Sequence, residues 1–190
     1  MRINHRADIL QVALQLFSNR GYDAVGVYEI AVTAGVTKPT LYYYFGSKNG
    51  ILEAILREYG DRLVAAARAA AAYEGDLWET LKRLVNAYFH YASNNPSFYR
   101  MQLAMYFAPP ESEPNQFIRR TNELQHGLLE ELFRQAAQHH GNMRGRQLAF
   151  AATFLGTVNT YIGFALNGYI ELDEALAEQA VHQFMFGIYA

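Results

Sequence analysis

Apolar residues return every three or four positions along nearly the whole of this chain, and alternating apolar-polar runs are scarce. Spacing near 3.6 lines such residues along one stripe of a helix, whereas a half-buried strand needs a period of two. The chain is therefore expected to be all-α, its helices burying their stripes against one another. Its 190 residues, 51% hydrophobic and 18% charged, suit one large domain or two small ones. A chain of this size hides roughly 70% of its unfolded surface, so a substantial core is within reach.

Turn and cap residues divide the pattern into helices. Ile9, Val12, Ala13, Leu16 and Phe17 form the apolar face of a first helix that Gly21 ends. A short second helix is predicted over 27–34, with Val27, Ile30 and Ala31 inward. Thr37 caps a third helix, whose Pro39 lies in the first turn, where a missing N–H costs nothing. Ser47 caps a long fourth helix reaching the alanine-rich run near Ala72. Further helices are predicted over 76–94 and 96–107, and then Pro109, Pro110 and Pro114 mark the clearest loop. Helices over about 116–139, 146–167 and 173–189 complete the chain, and no internal repeat is present.

Charge is unevenly spread. Residues 1–50 hold five basic and three acidic side chains, against eleven and fifteen in the remainder. A small basic head on an acidic body is the pattern to explain, although the contrast is modest and by itself decides nothing. There is no cysteine, which excludes disulfides and thiolate chemistry and fits a reducing interior. Arg6 and Asp8 interrupt the first apolar positions, so no signal-peptide core is expected and the predicted location is cytoplasmic.

The segment AGVTKPTLYYYFGSK, residues 34–48, carries four aromatic rings in a row between two lysines. On the third helix Leu41 and Phe45 share a face, which docks on Ile30, Ala31 and the first helix. Pro39, Thr40 and Tyr43 then point away, with Tyr42 and Tyr44 on the flanks. Two short helices joined by a tight glycine turn, the second exposing hydrogen-bonding groups, make a helix-turn-helix. Its second helix is the one that enters a DNA major groove. A phenol can lay its ring along a sugar or thymine methyl while its hydroxyl meets a phosphate, and the lysines add charge at either end.

With these residues in view, the stretch GYDAVGVYEIAVTAGVTKPTLYYYFGSKNGIL, residues 21–52, resembles the N-terminal signature of the tetracycline-repressor (TetR) family of bacterial transcriptional regulators. The resemblance rests on Ile30-Ala31, Ala34-Gly35-Val36-Thr37, Thr40-Leu41-Tyr42, Tyr44-Phe45 and Ser47-Lys48 at the family's spacing, about a quarter of the chain. It implies a DNA-binding head over 1–46 and a ligand-binding and dimerisation bundle over 47–190. It also implies DNA contacts from Thr37, Lys38, Pro39, Thr40, Tyr42, Tyr43, Tyr44 and Lys48. Tyr28 joins them, standing where the family often has a base-reading arginine. Gly26 replaces the usual Thr or Ser cap of the second helix, and Gly50 forgoes the capping-box carboxylate of the fourth.

In the body, no residue from Gln147 to Ile170 carries a formal charge, a length that could span a bilayer. Asn159, Asn167 and the threonines speak against that, and no membrane partner is expected. Ala149, Ala152, Gly156, Asn159 and Gly163, spaced 3, 4, 3 and 4, form a seam of small residues that lets another helix approach. A lone Asn in such a seam can fix register. The family's dimer interface is the expected use, with an intrachain contact as the alternative. The opposite face carries Phe150, Phe154, Tyr161 and Phe164. Tyr88, Tyr91, Phe98, Met101, Met105, Phe154 and Tyr161 are the candidate lining of an apolar cavity for an aromatic or lipophilic compound, with ordinary core as the alternative.

Enzyme readings find little support. Glu123 and His126 make half of a di-iron motif with no second copy, and the adjacent His139 and His140 make a poor chelate. No P-loop, nucleophile elbow or dinucleotide turn is present. No catalytic residue, cofactor or metal is expected. The expected function is a homodimeric, operator-binding repressor released by a small hydrophobic or aromatic effector. Two alternatives stay open: an architectural DNA-binding protein without inducer, and a ligand-binding bundle with a vestigial head.

Overall fold

The computed structural model describes residues 4–187, with no side-chain description for Asn142. Arg2 and the 189 terminus predicted for the last helix lie outside the described residues. The elements in order are α1 (His5–Arg20), α2 (Val27–Thr33), α3 (Lys38–Phe45), α4 (Lys48–Ile55), a π-turn (Leu56–Gly60) and α5 (Asp61–Ala70). There follow α6 (Leu77–Asn94), α7 (Pro96–Tyr106), α8 (Glu113–Ala136), a 3-10 turn (Gly141–Met143), α9 (Gln147–Leu166) and α10 (Glu174–Phe186). No strand occurs among the described residues. By its contacts the chain divides into two compact units, one of residues up to Arg62 with Ser97–Arg119, the other of Leu63–Pro96 with Arg120 onward.

In the first unit, α1 is capped by Asn4, whose side chain accepts from the Ala7 N–H at 3.3 Å, and is stopped by Gly21 at a φ of 81°. It packs against α2, α3 and α4. Its three partners bury a stripe rotated from the predicted one: Ile9, Leu10, Ala13, Leu14 and Phe17 are buried, while Val12 and Leu16 are only half-buried. The predicted fourth helix is two α-segments with a π-turn between them. In that turn, Tyr59 stacks on Phe98 of α7 at 5.5 Å and 19°, and Glu58 pairs with both Arg6 and Arg62.

The proline loop is shorter than predicted, because α8 begins at Glu113 and Pro114 sits buried in its first turn. Ser112 Oγ accepts from the Asn115 N–H at 3.4 Å. The Asn115 amide donates to the carbonyls of Met105, Tyr106 and Ala108, closing the loop on itself.

In the second unit α6 packs on α9 and α10, and Asp76 and Asp173 cap α6 and α10 through the N–H groups of Glu79 and Leu176. Its core holds Leu81, Leu84, Tyr88, Leu129, Val158 and Ile162. It also holds an aromatic cluster, Phe133 with Phe150, Phe154 and Phe184 at 5.6, 6.4 and 6.0 Å. Helix α9 buries Ala151, Phe154, Leu155, Val158 and Ile162. Among the described residues α9 is the one helix long and apolar enough to cross a membrane, and only 28% of its apolar window is buried within the chain.

Candidate nucleic-acid interface

The head is built by local rules. Helix α2 starts at Gly26 without a side-chain cap. It ends as Gly35 takes a φ of 66° and the Val36 N–H bonds back to the Ala31 carbonyl at 3.0 Å. Only glycine adopts that turn without strain. Thr37 then caps α3, accepting from the Thr40 N–H at 3.3 Å, while its hydroxyl meets that of Thr40 at 2.9 Å. Leu41, fully buried, anchors α3, which packs on α1 and α2. Gly46, at a φ of 71°, closes it, and Ser47 caps α4 through the Gly50 N–H at 3.0 Å.

That anchoring leaves the aromatic residues outside. Tyr43 is 83% exposed, Tyr42 and Tyr44 less so, and the Tyr43 and Tyr44 rings meet edge to face at 5.2 Å. Lys38 and Pro39 are exposed beside them. Tyr28, 67% exposed on α2, is brought to the same surface, for the Lys38 ammonium lies 5.2 Å from the centre of its ring. Phenols, hydroxyls and a cation on one face can bond phosphates, stack on sugars and reach base edges.

Lys48 is held differently. Its ammonium lies 4.0 Å over the ring of Tyr22, which is buried and touches Phe17 at 5.1 Å. The Tyr22 hydroxyl donates to Asn49 Oδ1, and Asn49 Nδ2 donates to Glu113 Oε1 at 3.5 Å. Burial pushes the Tyr22 phenol up to about 12, helped by the Glu113 and Asp23 carboxylates. Burial also lowers the Lys48 pKa, opposed by the same two carboxylates. Sequence reasoning missed Tyr22, Asn49 and Glu113. Tyr22 and Asn49 stood inside the quoted signature, but nothing local points to a carboxylate 64 residues from Asn49.

The predicted body residues fall in both units. Phe98, Met101 and Met105 belong to the first unit; Tyr88, Tyr91, Phe154 and Tyr161 belong to the second. All are buried except Tyr161, which is half-buried. The Tyr88 hydroxyl, wholly buried, has no hydrogen-bond partner, nor has Gln125 Oε1 in the same unit. Burial pushes the Tyr88 phenol pKa up, keeping it a neutral donor. Of the seam, Ala149, Ala152 and Gly156 are exposed, and Asn159 and Gly163 half-buried. A Cβ built on Gly156 or Gly163 meets nothing within 4 Å.

Tyr161 and Phe164 do not lie opposite this seam as predicted. With Gly156, Thr160 and Phe184 they line one open groove of about 610 Å³. The stripe α9 buries is the one through Ala151, Leu155, Val158 and Ile162, which leaves both flanks open. Among the described residues no three His, Asp or Glu side chains converge on a metal position.

Residues 9–55 match the family of bacterial regulatory proteins, tetR family. The transcriptional activator FasR of Mycolicibacterium smegmatis is 37% identical over 100 residues, 53% of this chain and 46% of FasR. The chain thus spans about half the length of that curated relative. Two solved structures extend the likeness over nearly all of the chain. The TetR family regulator PfmR of Thermus thermophilus superposes with a TM-score of 0.75 at 27% identity, covering 95% of this chain and 98% of PfmR. The regulator FadR of Bacillus subtilis, solved in complex with stearoyl-CoA, has the same fold, with a TM-score of 0.78 at 19% identity over 96% and 98%.

Proposed function

We propose that this chain, a member of the tetR family of bacterial regulatory proteins, controls transcription by binding operator DNA as a homodimer, and that a hydrophobic or aromatic small molecule changes its hold on that DNA. The observation that carries the reading is the outer face of α3, where Tyr43 stands exposed between Tyr42, Tyr44 and Lys38 while Leu41 anchors the helix from behind. A helix so mounted fits a major groove. The reading face lies within the 1–46 segment, with Lys48 just beyond it. The 47–190 segment carries the remaining roles.

Dimerisation is supported by α9, whose small-residue seam lies open beside exposed Leu148 and Phe164. A two-fold dimer carries two heads, and a two-fold operator offers them successive major grooves about 34–36 Å apart. The effector reading rests on the second unit, where the orphaned Tyr88 hydroxyl offers a donor to a lipophilic molecule with one polar end. The long-chain acyl thioester held by FadR belongs to that chemical class. Release of DNA by the effector makes the chain a repressor. Tightening makes it an activator, the role named for FasR.

The test begins with duplexes selected by the protein from a random pool. Lys48→Ala should lower the slope of log affinity against log salt by about one unit without changing the selected sequence. Tyr43→Ala and Lys38→Ala should change the sequence itself. Affinity and consensus unmoved in all three variants would remove α3 as the reader.

A further inference from the structure

Lys48 is expected to meet a DNA phosphate, yet it is half-buried where Arg6, Arg20 and Lys38 are exposed. One side of its ammonium is taken by the Tyr22 ring at 4.0 Å, and a cation so placed is attracted by the ring's quadrupole. That ring is not free to turn, because it is 5% exposed, backed by Phe17, and pinned by its hydroxyl to Asn49. Asn49 is bonded in turn to Glu113, in the first turn of α8. The chain of contacts stays within the first unit, and the loop before Glu113 is tied to α8 by Asn115. The Asp23 and Glu113 carboxylates both favour the charged ammonium. A phosphate approaching Lys48 therefore competes with charge the protein already supplies.

We propose that Glu113 is a positioning residue for DNA binding: its carboxylate, placed by Asn49 in the network that carries Tyr22 and Lys48, holds the Lys48 ammonium on the tyrosine ring by its charge and sets how strongly that ammonium engages phosphate. The proposal rests on Lys48 being a phosphate contact. It assigns to α8, far along the chain from the reading helix, a restraint on the head's affinity for any DNA. Removing the Glu113 charge while keeping its shape should strengthen binding, whereas loss of a purely structural contact weakens it.

The test uses the full chain and a fluorescein-labelled random-sequence duplex, with binding read by anisotropy over a salt series and folding by thermal melting. Glu113→Gln, whose amide oxygen still accepts from Asn49, should bind about three- to tenfold tighter near 0.1 M salt, with the gain shrinking as added salt screens the charge. Its melting midpoint should stay that of the parent.

The deciding measurement is the same change made in a Lys48→Ala background. If Glu113 acts through Lys48, the gain disappears there. An equal gain in both backgrounds overturns the proposal, since Glu113 would then act on DNA directly. Unchanged or weaker binding by Glu113→Gln at an unchanged midpoint overturns it as well. If Lys48→Ala alone leaves affinity and salt slope untouched, the phosphate role of Lys48 fails first, and the Glu113 proposal falls with it. If Glu113→Gln melts early, Asn49→Ala takes its place, breaking the bridge while keeping the charge. It should then tighten binding only where Lys48 is present, and any other result overturns the proposal.

Discussion

Gly50 shows how one missing side chain can be a packing requirement. It occupies the third position of α4, where a glutamate would complete a capping box. A Cβ there would lie 1.9 Å from the Phe45 carbonyl oxygen, a backbone atom that cannot step aside. Gly50→Ala should therefore cost about 1–3 kcal/mol or more, read as a lower melting midpoint with weaker DNA binding following from the displaced α3–α4 turn. Tyr88 gives the opposite sign. A buried hydroxyl without a partner costs about 1–3 kcal/mol, so Tyr88→Phe should leave the ligand-free protein as stable as the parent or more so, by up to a few degrees. The same variant should bind a lipophilic effector more weakly. A clear drop in the midpoint without ligand would mean that the hydroxyl has a structural partner. The sequence marked Gly50 as an irregularity and Tyr88 as aromatic lining, but neither the carbonyl above one nor the isolation of the other follows from residues nearby in the chain.

Among the elements, α3 and α9 differ in what holds them. Eight residues are too few for a helix to persist alone. α3 exists because Thr37 and Gly46 end it cleanly and Leu41 docks it, all legible from sequence. Helix α9 is long and apolar, and its sequence admits three readings: core helix, membrane span or dimer seam. The structure narrows them by leaving Ala149, Ala152 and Gly156 uncovered, with open space where a Cβ on Gly156 would be. Gly156→Leu should accordingly leave the folding of one chain nearly untouched while forcing paired α9 helices apart. Sedimentation should show monomer where the parent is dimeric, with the melting curve of the dilute variant changed little. A stable dimer of Gly156→Leu would move the interface elsewhere. Prediction failed for α1 and α9 in the same way: both are helical as expected, but the stripe each one buries is chosen by the number and direction of its partners.

For the whole molecule the proposed function turns on coupling between effector and DNA. A ligand that binds the DNA-competent and incompetent forms equally shifts nothing, however tight it is. Long-chain acyl thioesters and flat aromatic compounds should be screened by thermal shift, then titrated against the selected duplex. A true effector must change DNA affinity by the same factor by which DNA changes its own affinity. Compounds that stabilise the protein yet leave DNA binding unmoved would favour a DNA-binding protein without inducer. By itself the sequence determined the all-α class, the caps and glycine turns of the head, and the exposed aromatic face of α3, because each depends on residues within a turn or two of one another. Only the tertiary structure decided that Glu113 reaches Asn49, that Lys48 rests on Tyr22, that Tyr88 lacks a partner and that the α9 seam lies open. Burial and charge at those positions are set by side chains remote in sequence, and no local pattern carries them.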